Sequence, residues 1–193
     1  MKHVAKYQVI VVGAGHAGVE ASLAAARCGS SVALVTLSKN SIARMSCNPS
    51  IGGLAKGQIV REVDALGGLM GLAADCSGIQ FKMLNRSKGR AVWSPRAQVD
   101  KRKYEKYVNK RIFKDPFIDL IEAEVVSIVT AKGKTTGVKT VDSAIISGEA
   151  VVLTNGTFLN GLIHIGADCF PAGRLGERPS VDLSENIINK GFI

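Results

Sequence analysis

Apolar residues come in short blocks separated by glycine-rich phrases, and the blocks change period along the chain. Residues 7–12 are a short β-branched run and read as a buried strand of a parallel sheet. Gly13-Ala14-Gly15-His16-Ala17-Gly18 follows at once. The Ala-rich stretch 19–28 has strong helix formers and a stop at Gly29. Residues 31–37 form a second apolar strand, so the opening reads as a βαβ unit of about thirty residues. A second glycine-rich phrase, 46–53, leads to a predicted helix over 54–66 that ends at Gly67-Gly68. A basic helix is predicted over 98–114, with Tyr104, Tyr107, Val108, Arg111 and Ile112 on one face and Arg111 laying its stem along the core. Beyond Pro116 the pattern turns to strands. Residues 120–129 read as one strand, Lys132-Gly133-Lys134 as a turn, 137–141 as its hairpin partner and 150–154 as another buried strand. A Gly- and Pro-rich loop occupies 160–180, and a short helix starts near Asp182 with a C-cap at Gly191.

Composition narrows the class. The chain has 193 residues, 46% of them hydrophobic, which suits about one domain with a real core. No apolar run approaches the ~20 residues of a membrane span, and residues 1–6 are too short for a leader before the first strand. A soluble, cytoplasmic protein is the expectation. Cys28, Cys47, Cys76 and Cys169 form no CxxC pair, so neither a zinc site nor a disulfide framework is expected. The net charge of +9 is concentrated: residues 86–114 hold 11 Lys/Arg against 2 Asp/Glu, and the remainder balances at 14 of each. This segment is either a solvated helix face or a basic surface for an anionic partner. Trp93 within it either packs in the core or stacks on a base.

The first glycine motif carries the clearest chemistry. Gly13 permits the strand-to-helix turn, Gly15 lets the backbone approach a pyrophosphate, and Gly18 allows close helix–strand packing. The helix start then offers free N–H groups and the positive end of its dipole to phosphate. His16 either donates to a phosphate or packs. The ribose-binding acid expected about twenty residues on is missing, since no Asp or Glu stands between Glu20 and Glu62. Thr36 or Ser38 is left to bond a ribose hydroxyl more weakly.

A resemblance becomes specific at 45–57, Met-Ser-Cys-Asn-Pro-Ser-Ile-Gly-Gly-Leu-Ala-Lys-Gly, and continues through Arg-Glu-Val-Asp-Ala-Leu-Gly-Gly at 61–68. Gly-Ile-Gln-Phe at 78–81, Pro-Arg-Ala-Gln at 95–98, Thr-Phe-Leu-Asn-Gly at 157–161 and Ile-His-Ile-Gly at 163–166 extend it. With these phrases the chain resembles the glucose-inhibited division protein A (MnmG) family over its whole length, matching about the N-terminal third of that family. Arg90 departs from the family's usual Pro, and Val19 from its usual Cys or Thr.

The resemblance implies a Rossmann-like FAD-binding α/β domain, a parallel sheet with a β-meander crossover, incomplete at the C-terminus. Residues 1–193 would be the N-terminal part of an FAD/NAD(P)-binding domain, with the family's insertion and C-terminal helical domains outside the chain. It implies an enzyme that, with the GTPase partner MnmE, adds a (carboxymethyl)aminomethyl group at carbon 5 of wobble uridine 34 in tRNA. FAD and NADH would supply redox chemistry and methylene-tetrahydrofolate the carbon, in a homodimer off the membrane. By position, Gly13, Ala14, Gly15, His16, Ala17, Gly18, Val125 and Ser180 would contact FAD, and Cys47 would be the nucleophile. A thiolate attacking carbon 6 of uridine makes carbon 5 nucleophilic, given a helix N-terminus or cation to lower its pKa. A buried structural thiol is the other reading of Cys47. The alternatives of another class are a flavin- or NAD-dependent oxidoreductase, against which the lack of CxxC stands, and a non-catalytic nucleotide- or RNA-binding fragment. On its own the chain is expected to bind FAD weakly, to be poorly stable and to be inactive.

Overall fold

The computed structural model describes residues 6–46 and 48–192, so Cys47 lies outside the described residues. Length suggests about one domain, yet the chain divides into two compact units. Ile42–Pro116 forms one, and the stretches before and after it form the other.

The flanking unit is built on a mixed sheet. β1 (Tyr7–Val12) pairs in parallel with β2 (Val32–Thr36) on one side. β6 (Ile118–Glu122) adds in parallel beyond β2. On the other side of β1 lies β9 (Ile145–Leu153), also parallel. The chain thus lays two strands, β2 and β6, outward from β1 and then returns to pair with its opposite edge, which makes the β1/β9 boundary the point where strand order reverses. The first part of β9 pairs instead with β8 (Lys134–Thr140), and β8 with β7 (Val125–Ala131), both antiparallel. This is the meander, and its tight turn has Lys132 and Gly133 at φ 50° and 74°, as expected at 132–134.

α1 (His16–Arg27) crosses between β1 and β2 and packs on β1, β2, β6 and β9. It begins three residues before the expected start. The glycine motif therefore contains the helix's first turn. Gly29 closes it at φ 80° as expected, its N–H donating to the Ala26 carbonyl at 2.9 Å. On the opposite sheet face Ile10, Val12, Ala33 and Val35 join Val125, Val138, Ile146 and Leu183 in one buried cluster. Leu183 comes from α5 (Asp182–Asn189), which packs on β7. The Asn186 Oδ1 accepts from the Ile128 N–H at 2.9 Å and pins α5 there.

Three expectations need correction here. The stretch 120–129 is two strands, not one: β6 ends at Glu122, and the chain turns at Ala123-Glu124 to start β7 at Val125. The 160–180 stretch is not all loop. β10 (Leu162–Ile165) and β11 (Asp168–Pro171) form a mostly exposed antiparallel hairpin whose apolar residues do not alternate with polar ones, so the sequence carries no strand period there. The basic helix is α4 (Lys101–Lys114), and Gln98 belongs to a strand. Asp100 stops the helix from reaching further back, because its carboxylate accepts the Lys103 N–H at 3.0 Å as an N-cap.

Within Ile42–Pro116, β3 (Ser50–Gly52), β4 (Gly78–Leu84) and β5 (Ser94–Val99) form an antiparallel sheet of order β3-β5-β4. α2 (Lys56–Ala65) follows the second glycine phrase, and α3 (Met70–Ser77), unread in the sequence, follows Gly67-Gly68. α4 packs on α3 through Tyr104, Val108 and Ile112, each 1% exposed and four residues apart. Arg111 is exposed rather than laid along the core.

Leu183→Ala is expected to cost about 2–5 kcal/mol, since it empties a fully buried position. Leu175→Ala, at a residue 74% exposed, should change stability by less than about 0.5 kcal/mol. Urea unfolding of both variants checks this, and equal midpoints would remove α5 from the core.

Candidate dinucleotide-binding site

A cleft opens at the C-terminal ends of β1, β2 and β9, where strand order reverses. Its walls are local backbone and distant loops together. β1 runs into Gly13, Ala14 and Gly15, and β2 contributes Val35 to Leu37. Ala123, Glu124 and Val125 come from the β6–β7 turn, and Thr154 to Phe158 from the end of β9. Arg174, Glu177 and Ser180 complete it from the segment before α5. The open space of the cleft, solvent at its mouth included, is about 760 Å³.

The glycines explain the shape. Gly13 has φ 101°, and a Cβ there would stand 2.6 Å from the Thr154 carbonyl oxygen. A Cβ on Gly18 would stand 1.7 Å from the Gly13 carbonyl oxygen. Thr154 Oγ1 lies 2.9 Å from the Val12 and Gly13 carbonyls and donates between them, clipping β9 to the turn. Gly15 differs from both: a Cβ would meet nothing within 4 Å, so its open face is turned to the cleft. Gly15 is also the N-cap of α1, with no side-chain cap and no acid in the first turn. The positive helix end therefore keeps its field for an anion.

The side chains add recognition groups. Asn155 Oδ1 is buried in the wall without a hydrogen-bond partner among the described residues. Such an orphan is costly unless a ligand completes it. Arg174 sits 5.4 Å over the Phe158 ring, held by cation–π attraction. Burial lowers the His16 pKa, and the Arg174 charge lowers it further, so the ring is neutral at physiological pH. Ser180 is 6% exposed, and its N–H donates to the Phe158 carbonyl at 2.8 Å. The Thr36 hydroxyl donates to the Ser38 carbonyl at 3.2 Å, so its proton is already used.

Of the residues singled out in the sequence, Gly13, Ala14, Gly15, Val125 and Ser180 line one cleft. His16, Ala17 and Gly18 form the first turn of α1 beside it. Cys47 is not described. Sequence reasoning missed Glu124, Asn155, Phe158, Arg174 and Glu177. The signals were thin: Asn155 ends the strand phrase Leu153-Thr154-Asn155, and Arg174 is a single cation in a Gly- and Pro-rich stretch. The cleft's carboxylates are Glu124 and Glu177, from segments far from β2, where the expected acid is absent.

The family model for glucose inhibited division protein A matches residues 8–193. The chain belongs to that family. It is 54% identical to the tRNA uridine 5-carboxymethylaminomethyl modification enzyme MnmG of Chlorobium chlorochromatii, over 96% of this chain and 30% of that protein. Among solved structures, Aquifex aeolicus GidA superposes with a TM-score of 0.93 at 49% identity, covering 100% of this chain and 32% of that one. The GidA-related protein from Thermus thermophilus shares the fold at TM-score 0.71 and 23% identity, covering 98% and 70%. The chain thus spans about 30% of the length of the curated relatives it matches. Among the described residues no helix is long and apolar enough to cross a membrane.

Two predictions follow from this geometry. Gly15→Ala should leave unliganded stability within about 0.5 kcal/mol, because the new methyl meets nothing and φ is −69°. It should weaken dinucleotide binding at least tenfold in a calorimetric titration. Unchanged affinity would show that the ligand does not approach this backbone. The second concerns pH. With its pKa lowered in the fold, His16 binds fewer protons than in the unfolded chain below about pH 6.5. Its stability contribution is complete above that pH and is lost as pH falls below it. His16→Gln should flatten this slope in melts from pH 7 down to 5, and an unchanged slope would move the titrating group elsewhere.

Proposed function

We propose that this chain is the flavin-binding part of an enzyme that modifies the wobble uridine of tRNA. The observation that carries the proposal is the single cleft that joins the glycine turn to Val125 and Ser180 in a chain matched by the family over residues 8–193. FAD fits this cleft on three features: the open face of Gly15, the uncapped start of α1 and the orphaned Asn155 oxygen. The backbone of Gly13 to Gly18 would hold the pyrophosphate, with Val125 and Ser180 contacting the rest of the cofactor. Glu124 reaches the cleft as an acceptor for a ribose hydroxyl, in place of the acid missing after β2. Held by these residues, FAD would supply redox equivalents drawn from NADH, and methylene-tetrahydrofolate would supply the carbon.

The chain's own contribution to the chemistry is a nucleophile and a cradle for the cofactor. Cys47 adds as thiolate to carbon 6 of uridine 34, which places electron density on carbon 5, the atom that receives the new group. Loss of the carbon 5 proton and expulsion of the thiolate restore the aromatic ring. The partner is the GTPase MnmE, the assembly is a homodimer, and the reaction is cytoplasmic.

Replacing Cys47 by Ser in the organism's own protein tests the reading. Mass spectrometry of tRNA digests should show the carbon 5 modification lost, while the chain's affinity for FAD stays within about twofold. Persistence of the modified uridine would remove Cys47 from the reaction. Failure of the wild-type chain to bind FAD at all would remove the cofactor reading.

A further inference from the structure

We infer that the connection between β4 and β5 is a clamp for single-stranded RNA, built from Arg86, Arg90 and Trp93. The inference rests on the tRNA reading above and names a contact that the reading leaves open. Residues 82–99 hold five Lys/Arg and no Asp or Glu. The connection folds as two short 3₁₀ turns, Arg86–Lys88 and Arg90–Val92, with Asn85 at φ 59° and Gly89 at φ 95° making the sharp bends. These bends bring two guanidiniums to one ring: Arg86 lies 6.0 Å and Arg90 5.8 Å from the Trp93 centroid. The indole N–H donates to the Arg86 carbonyl at 3.3 Å and fixes the ring's orientation. Neither guanidinium has a carboxylate partner among the described residues.

Two cations held against one ring repel each other, and no acid offsets them. Both arginines are exposed, so their guanidinium N–H groups are open to bidentate binding of phosphate. The strands below repeat the pattern. Lys82 and Arg96 stand directly opposite on β4 and β5, an unfavourable like-charge pair in isolation. Both line an open cleft with the exposed Phe81 and with Arg61, and Asp64 and Asp75 stand on its far wall from α2 and α3. Arg86 and Arg90 beside the Trp93 face, with Lys82 and Phe81 on the adjoining strand, make the pattern that holds a phosphate backbone while bases stack. A duplex would hide its base faces, so the clamp selects unpaired nucleotides.

Trp93 is the chain's single tryptophan, so its emission reports this site alone. The probe is a fluorescein-labelled RNA hairpin with a single-stranded loop, titrated into the full chain at several salt concentrations. Anisotropy reads binding, and Trp93 emission reads the clamp. Quenching of Trp93 with the same midpoint as the anisotropy change is expected. Arg86→Gln and Arg90→Gln should each weaken binding roughly tenfold and reduce the salt slope by about 1. Lys132→Gln, an exposed cation in the β7–β8 turn, should leave both unchanged. Both arginines are exposed, so circular dichroism should show the variants folded. RNA binding with Trp93 emission unchanged, or wild-type affinity in both arginine variants, would overturn the clamp and leave the tRNA reading intact. No binding of the hairpin at all would also overturn it, and the Cys47→Ser digest would then decide separately whether the enzyme reading survives.

Discussion

Everything in the nucleotide unit depends on how closely two backbones pass at the end of β1. Gly18 leaves no room for a methyl group against the Gly13 carbonyl, and Gly13 leaves none against Thr154. This contact lets α1 start immediately after the strand and aim its first turn at the cleft. It also brings β9 beside β1, with Thr154 donating into the turn. Without that approach, the β1/β9 boundary would still pair, but the helix end would be displaced from the place where strand order reverses. The field of the helix and the geometry of the sheet would then no longer coincide.

The same constraint explains why part of the fold was legible. The run from β1 through α1 to β2 is local, and each element carries its own signal: a β-branched block, three spaced glycines, an Ala-rich helix, a glycine stop. The meander was readable for the same reason, through its Lys132-Gly133 turn. Legibility failed where pairing decides structure. Residues 118–131 look continuous because Ala123 and Glu124 have no breaker chemistry, yet β6 must end to pair with β2 while β7 turns to meet β8. The β10–β11 hairpin carries exposed apolar residues, so alternation gave no period to read. The three-stranded sheet of the other unit pairs a three-residue strand with one nearly fifty positions away, which no local window can see.

The candidate site divides along the same line. Backbone groups of Gly13 to Gly18 belong to a motif that needs only neighbours in sequence. Val125 and Ser180 came from likeness to a family, not from physics, and both lie in the cleft wall. Glu124, Asn155 and Arg174 are single polar residues in unremarkable surroundings. Only the fold shows that Asn155 is orphaned, that Arg174 lies over Phe158, and that Glu124 lines the same cleft as the glycine turn.

Charge tells a different story from the glycines. The cleft at the glycine turn offers an anion backbone N–H groups and a helix end, and among the described residues Arg174 is the one Lys or Arg in its lining. The basic excess sits instead in residues 86–114, inside the other compact unit. Scattered Lys residues serve solubility as well, so solubility alone does not call for two arginines beside one indole. Placing Arg86 and Arg90 against Trp93 restricts both side chains before any partner arrives. The entropy of ordering them is then spent in folding rather than in binding. A small cofactor held by backbone and a large polyanion gripped by preorganised side chains are two solutions to the same problem of negative charge, chosen by the size of the ligand.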